Sequence, residues 1–558
     1  MKKFLIALLS IVLIGSAAAT VIAQENLLSD NTPASNQIEY DFYSSGATTM
    51  SLDNGNIIGT SVGEQKAIVK NFNSRVFDVS FTLTPSNGII NGGLYFFADT
   101  PVDTADGINA LNVNIDKNAN DNFYKVYIYD FKHGYQGSVA NTIALTFNGK
   151  VDVRVVVDEE DINVYLDGSN VPSLNKKVKA TTHTGDQIGF RSQYADQTFS
   201  NISISETAVM PECETVKVLM VGNSYAQDTM TYAHEIARAQ GINMVCGVIY
   251  YGGCTVEQHA NFIAQNKAVY TYFKNGGTDR ASVDFYNILN DEDWDVITIQ
   301  TGQGKQGVKE SFYPYLPQLI ALIENRLPEV EVGLFQSWAV PSCYEGTGNS
   351  RLSAYDDNSE KMYQAIVKTF SELKSENGVS FVVPSSEALH SINNTSVCDN
   401  SVAATSFFRD STAHVNEKGR YMMGLTIFKS VTGLSVNGNS YTPVGYTYGD
   451  VAAPTASERA IIQTYVEKVF ETDYTSVDFV PAEEITLSGL RVENAKTEYT
   501  AGEYFDFINI KVYAVYSDGS EQLTGYFNID LMRRLTVSDT QIVITYQDQS
   551  LTLPITVR

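Results

Sequence analysis

The sequence predicts a multidomain chain with three folded parts in series: an all-β sandwich, a three-layer α/β region on a parallel sheet, and a small all-β unit. Three observations predict it. From Ile38 to Ser205 short strands alternate with turn residues and almost no helical periodicity is present. From Lys217 apolar runs alternate with amphipathic segments of helical length, a pattern that places helices on both faces of a mostly parallel sheet. From about Ile485 short strands return. The 558 residues are also too many for one core, and a typical domain size gives about three to four units.

Ahead of these parts stand Lys2-Lys3, an apolar run from Phe4 to Ile14, and small residues ending at Val21-Ile22-Ala23. This is the three-part form of a secretory signal peptide, so residues 1–23 are expected to be removed and the mature protein to be secreted. The run is shorter than the roughly 20 apolar residues that cross a bilayer, and no later stretch reaches that length, so no transmembrane segment is expected. A formal net charge of −26 argues against a nucleic-acid partner, whose phosphates would be repelled, and fits neutral substrates.

The first part is bounded at 28–208. Within it, Val151 to Val157 and Ile162 to Leu166 read as two strands joined at the acidic turn Asp158-Glu159-Glu160-Asp161. Four consecutive acids at a hairpin tip cannot face one cleft together, so the cluster reads as a solvated turn and not as paired carboxylates for glycoside cleavage. The pattern resembles the concanavalin-like lectin sandwiches.

The α/β region is bounded at 214–475. Its strand candidates are Val216–Val221, Met244–Tyr250, Asp295–Gln300, Val330–Gln336 and Ser380–Pro384. Its helix candidates are Thr229–Gln240, Val256–Phe273, Phe312–Arg326, Ala354–Ser375 and Glu417–Val431. On such sheets ligands bind at the carboxyl ends of the strands. The cysteines at 213, 246, 254, 343 and 398 have no zinc-ligand spacing, so no metal and no cofactor is expected. Cys343 and Cys398 are a candidate bridge between two long loops, which export would permit. The last part, 482–558, carries strands such as Val512-Tyr513-Ala514-Val515-Tyr516 and Ile542-Val543-Ile544. It resembles the bacterial immunoglobulin-like domains of extracellular enzymes, which implies a spacer or adhesive module.

The chemistry gathers at the strand ends. Val216–Val221 runs into Gly222-Asn223-Ser224-Tyr225, with Asp228 placed as a cap for the following helix. A serine nucleophile needs a general base, usually a histidine held by a carboxylate, and Asp410-Ser411-Thr412-Ala413-His414 offers both. With both ends in view, the region resembles the SGNH (GDSL-like) hydrolases, which implies a flavodoxin-like three-layer fold. Their first motif, Gly-Asn/Asp-Ser, matches Ser224, and their last loop matches Asp410 and His414. The family spacing is Asp-x-x-His, one residue shorter than here.

The resemblance also implies three oxyanion donors: the N–H of Ser224, a glycine N–H, and an asparagine side chain at the end of the third strand. Tyr250-Tyr251-Gly252-Gly253-Cys254 supplies Gly253, with Gly252 as the other candidate, and Gln300 stands where the asparagine is expected. A less characterised bacterial branch of the group carries a glycine pair followed by a histidine, here His259. Asn223, Tyr225 and His259 are accordingly the substrate-binding candidates. His234 and His390 lie in helical patterns and read as structural, and Cys254 as a packing residue.

These readings converge on a secreted serine esterase acting through an acyl-enzyme, with O-acetylated carbohydrate as the first substrate class suggested by the flanking β parts. The alternatives are a lipid or small-ester hydrolase, and a glycan-binding or adhesive surface protein that keeps the fold without activity. The longer Asp/His spacing and Gln300 favour the last.

Overall fold

The computed structural model describes residues 38–471 apart from 46–47, 100–108, 132–142, 179–182, 303 and 445–451. It also describes 487–558 apart from 507–509, 518, 520, 525–526, 532 and 547–548. The leader at 1–23 and the boundaries at 28, 475 and 482 lie outside the described residues.

Between residues 40 and 205 the described residues form two seven-stranded antiparallel sheets. In strand Val76–Pro85 the residues Phe77, Val79, Phe81 and Leu83 are buried, and the neighbouring strand sets Val157, Val155, Val153 and Val151 directly opposite them. Both sets face the other sheet. Phe81 meets Phe190 at 5.4 Å between ring centroids and Phe77 meets Phe96 at 5.8 Å, so the two apolar faces close on each other. The acidic turn is a hairpin tip, with Asp158 opposite Asp161 and Glu159 in the left-handed region at φ 54°.

Seven strands build the α/β region: β1 (Glu214–Gly222), β2 (Ile242–Tyr250), β3 (Tyr270–Lys274), β4 (Gly277–Val283), β5 (Val296–Ile299), β6 (Glu331–Phe335) and β7 (Val382–Val383). Their order is β4-β3-β2-β1-β5-β6-β7. β2, β1, β5, β6 and β7 pair in parallel, whereas β3 joins β2 and β4 joins β3 antiparallel. The sheet is therefore mixed, and the expectation of a parallel sheet is corrected at that edge. The cause lies in Val256–Phe273, read above as one helix. The helix stops at Ala264, the chain turns through left-handed Asn266, and Tyr270, Tyr272 and Lys274 alternate buried with half-buried neighbours, which is a strand period.

The candidate at Thr229–Gln240 is likewise two short helices, Ser224–Met230 and Ala233–Arg238. The helices Tyr315–Arg326, Ser359–Asn377 and Glu417–Thr432 overlap their expected spans, and Ser385–Ser391 and Ala456–Glu471 are additional. β1 is flanked by β2 on one side and β5 on the other, so the strand order reverses at β1 and the carboxyl ends of these three strands converge there.

All five cysteines are free thiols, so the Cys343–Cys398 bridge is not formed. Each partner is held at Asn400 instead: the Cys343 N–H donates to Asn400 O at 2.9 Å and Cys398 Sγ lies 3.4 Å from Asn400 Oδ1. The first β region is tied to the α/β region by an ion pair between Lys176 and Asp279. His234 adds a second tie, its ring nitrogens each 2.9 Å from Met244 O and Pro172 O. The C-terminal strands enclose a separate small core around Tyr499, Val512, Ile542 and Ile544. Among the described residues no helix is long and apolar enough to cross a membrane.

Candidate active site

Asn223 makes the turn from β1 into the helix Ser224–Met230. Its backbone is extended and its Oδ1 accepts the Tyr225 N–H at 3.1 Å, so Asn223 is the helix cap. Asp228, read above as that cap, lies inside the helix and is buried. Its Oδ1 accepts Arg420 Nε at 2.9 Å and Nη2 at 2.7 Å, and its Oδ2 accepts the Val415 N–H at 3.2 Å.

The structure brings the three triad candidates into line. Ser224 Oγ lies 2.8 Å from His414 Nε2, and His414 Nδ1 lies 2.8 Å from Asp410 Oδ2. The extra residue between Asp410 and His414 is absorbed by a tight turn. Asp410 O accepts the Ala413 N–H at 3.1 Å, and Asp410 Oδ1 accepts the Thr412 N–H at 2.9 Å and the His414 N–H at 3.2 Å. The Thr412 hydroxyl enters the Asp/His pair, donating to Asp410 Oδ1 at 2.6 Å and lying 2.7 Å from His414 Nδ1. Burial alone would raise the Asp410 carboxyl, but hydrogen bonds from His414 and Thr412 outweigh it and hold the group well below the usual carboxylate range. It therefore stays ionised.

Tertiary bonds fix each step of this loop. Asn349 Nδ2 donates to Ser411 O at 2.7 Å, the Tyr225 hydroxyl to Thr412 O at 2.6 Å, and Trp338 Nε1 to Ala413 O at 2.7 Å. Ala413 sits in the left-handed region at φ 61°, a strained conformation for alanine that these bonds sustain. Sequence reasoning missed Thr412, Trp338 and Asn349. Thr412 alone had a signal, as part of the extra residue in the Asp/His spacing.

Gln300 corrects an expectation. It is fully buried, its Oε1 accepts the Asn223 N–H at 3.2 Å, and its Nε2 donates to Asn223 Oδ1 at 3.1 Å and Ser337 Oγ at 2.9 Å. Both amide hydrogens are engaged, so none remains for an oxyanion; Gln300 braces the nucleophile turn from behind. Gly222 permits this, since a Cβ there would stand 2.3 Å from Gln300 Oε1. Asn223 Nδ2 continues the line by donating to Cys254 O at 3.0 Å, which ties the Gly252-Gly253-Cys254 turn to the nucleophile. Gly253 adopts φ 63°. Neither its N–H nor that of Ser224 is engaged by another described residue, so these two oxyanion candidates stay open.

The three substrate-binding candidates are not on the cleft surface. Asn223 is buried as the cap, and Tyr225 is buried with its ring 5.8 Å from that of His414. His259 is buried and stacked on Tyr270, 3.1 Å from its hydroxyl, and burial pushes its pKa down to about 3. All three support the site from within. Tyr251 is the aromatic exposed beside the glycine turn. Burial pushes the Cys254 thiol up to about 12, which removes it as a nucleophile. Among the described residues no group of three or more His, Cys, Asp or Glu side chains could hold a metal ion.

Residues 217–459 match a family model described as a domain of unknown function, DUF4886. The chain is similar to a DUF4886 family protein from Bacteroides uniformis, at 27% identity over 46% of this chain and 95% of that one, with a TM-score of 0.41. It is also similar to a provisionally assigned SGNH hydrolase from Slackia heliotrinireducens, at 14% identity over 39% of this chain and 99% of that one, with a TM-score of 0.27. A third likeness is to a family two carbohydrate esterase from Cellvibrio japonicus, at 10% identity over 70% of this chain and 96% of that one, with a TM-score of 0.26. No curated protein matches.

Proposed function

We propose that this protein is a secreted serine hydrolase that cleaves carboxylic esters, with O-acylated carbohydrate as its substrate class. The observation that carries the reading is the continuous hydrogen-bonded line from Ser224 Oγ through His414 to an ionised Asp410. Ser224 Oγ attacks the ester carbonyl carbon while His414 Nε2 takes its proton. The N–H groups of Ser224 and Gly253 stabilise the oxyanion, and Asp410 stabilises the imidazolium. The C–O bond to the sugar then breaks, the leaving alkoxide taking the proton from His414. Water, deprotonated by His414, attacks the acyl carbon; the bond from that carbon to Ser224 Oγ breaks, Oγ takes the proton back from His414, and a carboxylic acid leaves.

Carbohydrate is favoured over lipid by the exposed Tyr251 at the glycine turn and by the β regions that precede and follow the α/β region in the chain. The Lys2-Lys3 leader pattern supports export. A fold kept without turnover is the second reading, and the sealed Gln300 amide favours it, because one expected oxyanion donor is missing.

The test is release of acetate from acetylated sugars and of nitrophenol from aryl acetates, comparing the native protein with Ser224→Ala and His414→Ala. Each substitution is expected to lower kcat by at least about a thousandfold. A native protein inert toward the whole ester panel would favour the second reading, whereas a Ser224→Ala variant with undiminished activity would overturn the triad assignment.

A further inference from the structure

The first β region carries an open groove of about 410 Å³ on the outer face of its second sheet, across the strands Val76–Pro85, Val151–Asp158 and Asp161–Leu166. Small-ligand sites span roughly 300–1,000 Å³. The register explains the chemistry of the face. Phe81 and Val153 turn inward to the core, so their neighbours Ser80, Thr82, Asp152 and Arg154 turn outward, Thr82 opposite Asp152 and Ser80 opposite Arg154. A β-bulge in the strand Gln197–Ser205 adds Asn201, whose left-handed backbone (φ 52°) brings its amide onto the same row. Asn201 Nδ2 donates to Thr82 Oγ1 at 3.2 Å, and Thr82 Oγ1 donates to Asp152 Oδ1 at 2.6 Å.

Capacity for a ligand remains on this row. Among the described residues the Asn201 Oδ1, the Asn170 amide and the Ser80 hydroxyl, all lining the groove, have no partner. The two charged residues on its lining are matched by neighbours beside it: Lys150 Nζ lies 2.7 Å from Asp152 Oδ2, and Arg154 Nη2 lies 2.6 Å from Asp78 Oδ2 and donates to Val209 O at 2.8 Å.

We infer that this groove binds a neutral oligosaccharide through vicinal hydroxyl groups. Each sugar hydroxyl donates and accepts at once, and the row sets amides and hydroxyls that do both beside an accepting carboxylate. An extended peptide is a poorer fit, because Val76–Pro85 and Val151–Asp158 are interior strands whose backbone groups are already paired on both sides. A polyanion is a poorer fit because the charges cancel. The inference does not rest on the esterase reading; it gives the chain a means of holding a polymer independent of Ser224.

The test uses the full chain carrying Ser224→Ala, so that no ligand is turned over, titrated calorimetrically with neutral hexasaccharides of β-glucan, xylan, mannan and galactan. At least one is expected to bind with Kd of about 0.1–1 mM, equally at low and high salt. The double variant Asn170→Ala/Asn201→Gly, in which glycine keeps the left-handed backbone, is expected to weaken binding by at least about tenfold. The same pair in the Ser224 protein should leave aryl acetate hydrolysis unchanged. Absence of binding across the panel, undiminished binding by the double variant, or binding lost at high salt each overturns the inference. An inert native enzyme that still binds the hexasaccharide would sink the esterase reading alone.

Discussion

The two halves of the Ser224 site are built from different materials. Behind the nucleophile stand neutral amides and a hydroxyl: Asn223, Gln300 and Ser337, all buried, with Gln300 hydrogen-bonded to the other two. Behind the base stand charges: Asp410 on His414, and buried Asp228 held by Arg420, which Glu417 also pairs. The difference follows from what each group must do. A nucleophile turn needs a fixed geometry, and neutral amides fix it without a desolvated charge. A general base becomes a cation during reaction, so its surroundings must supply negative charge held in one orientation.

The comparison breaks most severely on the charged side. Asp410→Asn removes the carboxylate and lets His414 adopt the wrong tautomer, so kcat is expected to fall by about 10⁴-fold while the circular dichroism spectrum stays native. A loss under tenfold would mean that charge is dispensable there. On the neutral side the expected injury is to stability. Gln300→Leu leaves the Asn223 N–H without its partner in a sealed site, at about 1–3 kcal/mol for each buried group left unpaired. The unfolding transition is expected to drop by roughly 2–12 °C. An oxyanion donor would behave in the opposite way, losing about 10²–10³ in kcat at unchanged stability.

The same division separates what the sequence disclosed from what it concealed. The nucleophile turn was legible because its parts are local: a strand, Gly222-Asn223-Ser224, then a helix. Asp410 and His414 were legible as a pair on one loop, but the loop's shape was not. It depends on Tyr225, Trp338 and Asn349, partners 62 to 187 residues away that no periodicity marks. Gln300 was placed correctly at a strand end and given the wrong task, because direction of a side chain depends on which neighbours leave room, here Gly222. The β3–β4 hairpin was hidden because Val256 to Phe273 begins as an amphipathic helix. Nothing but the aromatic alternation at Tyr270 and Tyr272 signals the change of period.

Thr412 is where the two halves meet, a neutral hydroxyl inside the charged pair, and the smallest effect is expected there. Thr412→Val keeps the volume and removes the hydrogen bond to Asp410 Oδ1. A folded carboxyl held below its unfolded value contributes stability that is present above the unfolded pKa, near 4. That contribution is lost as pH falls toward the folded value. Removing one of the bonds that hold Asp410 down raises the folded value, so Thr412→Val should be less stable than native at pH 7 and equal to it at strongly acid pH. Asp410 is 38% exposed, so solvent screening keeps the difference under about 1 kcal/mol. In kinetics the loss should be about tenfold in kcat with KM unchanged, because the hydroxyl steadies the His414 tautomer and touches no substrate. Thr412→Ser, which restores the hydroxyl, should recover most of that rate. A serine variant as slow as the valine one would show that the methyl group's packing, and not the hydrogen bond, holds the pair in line.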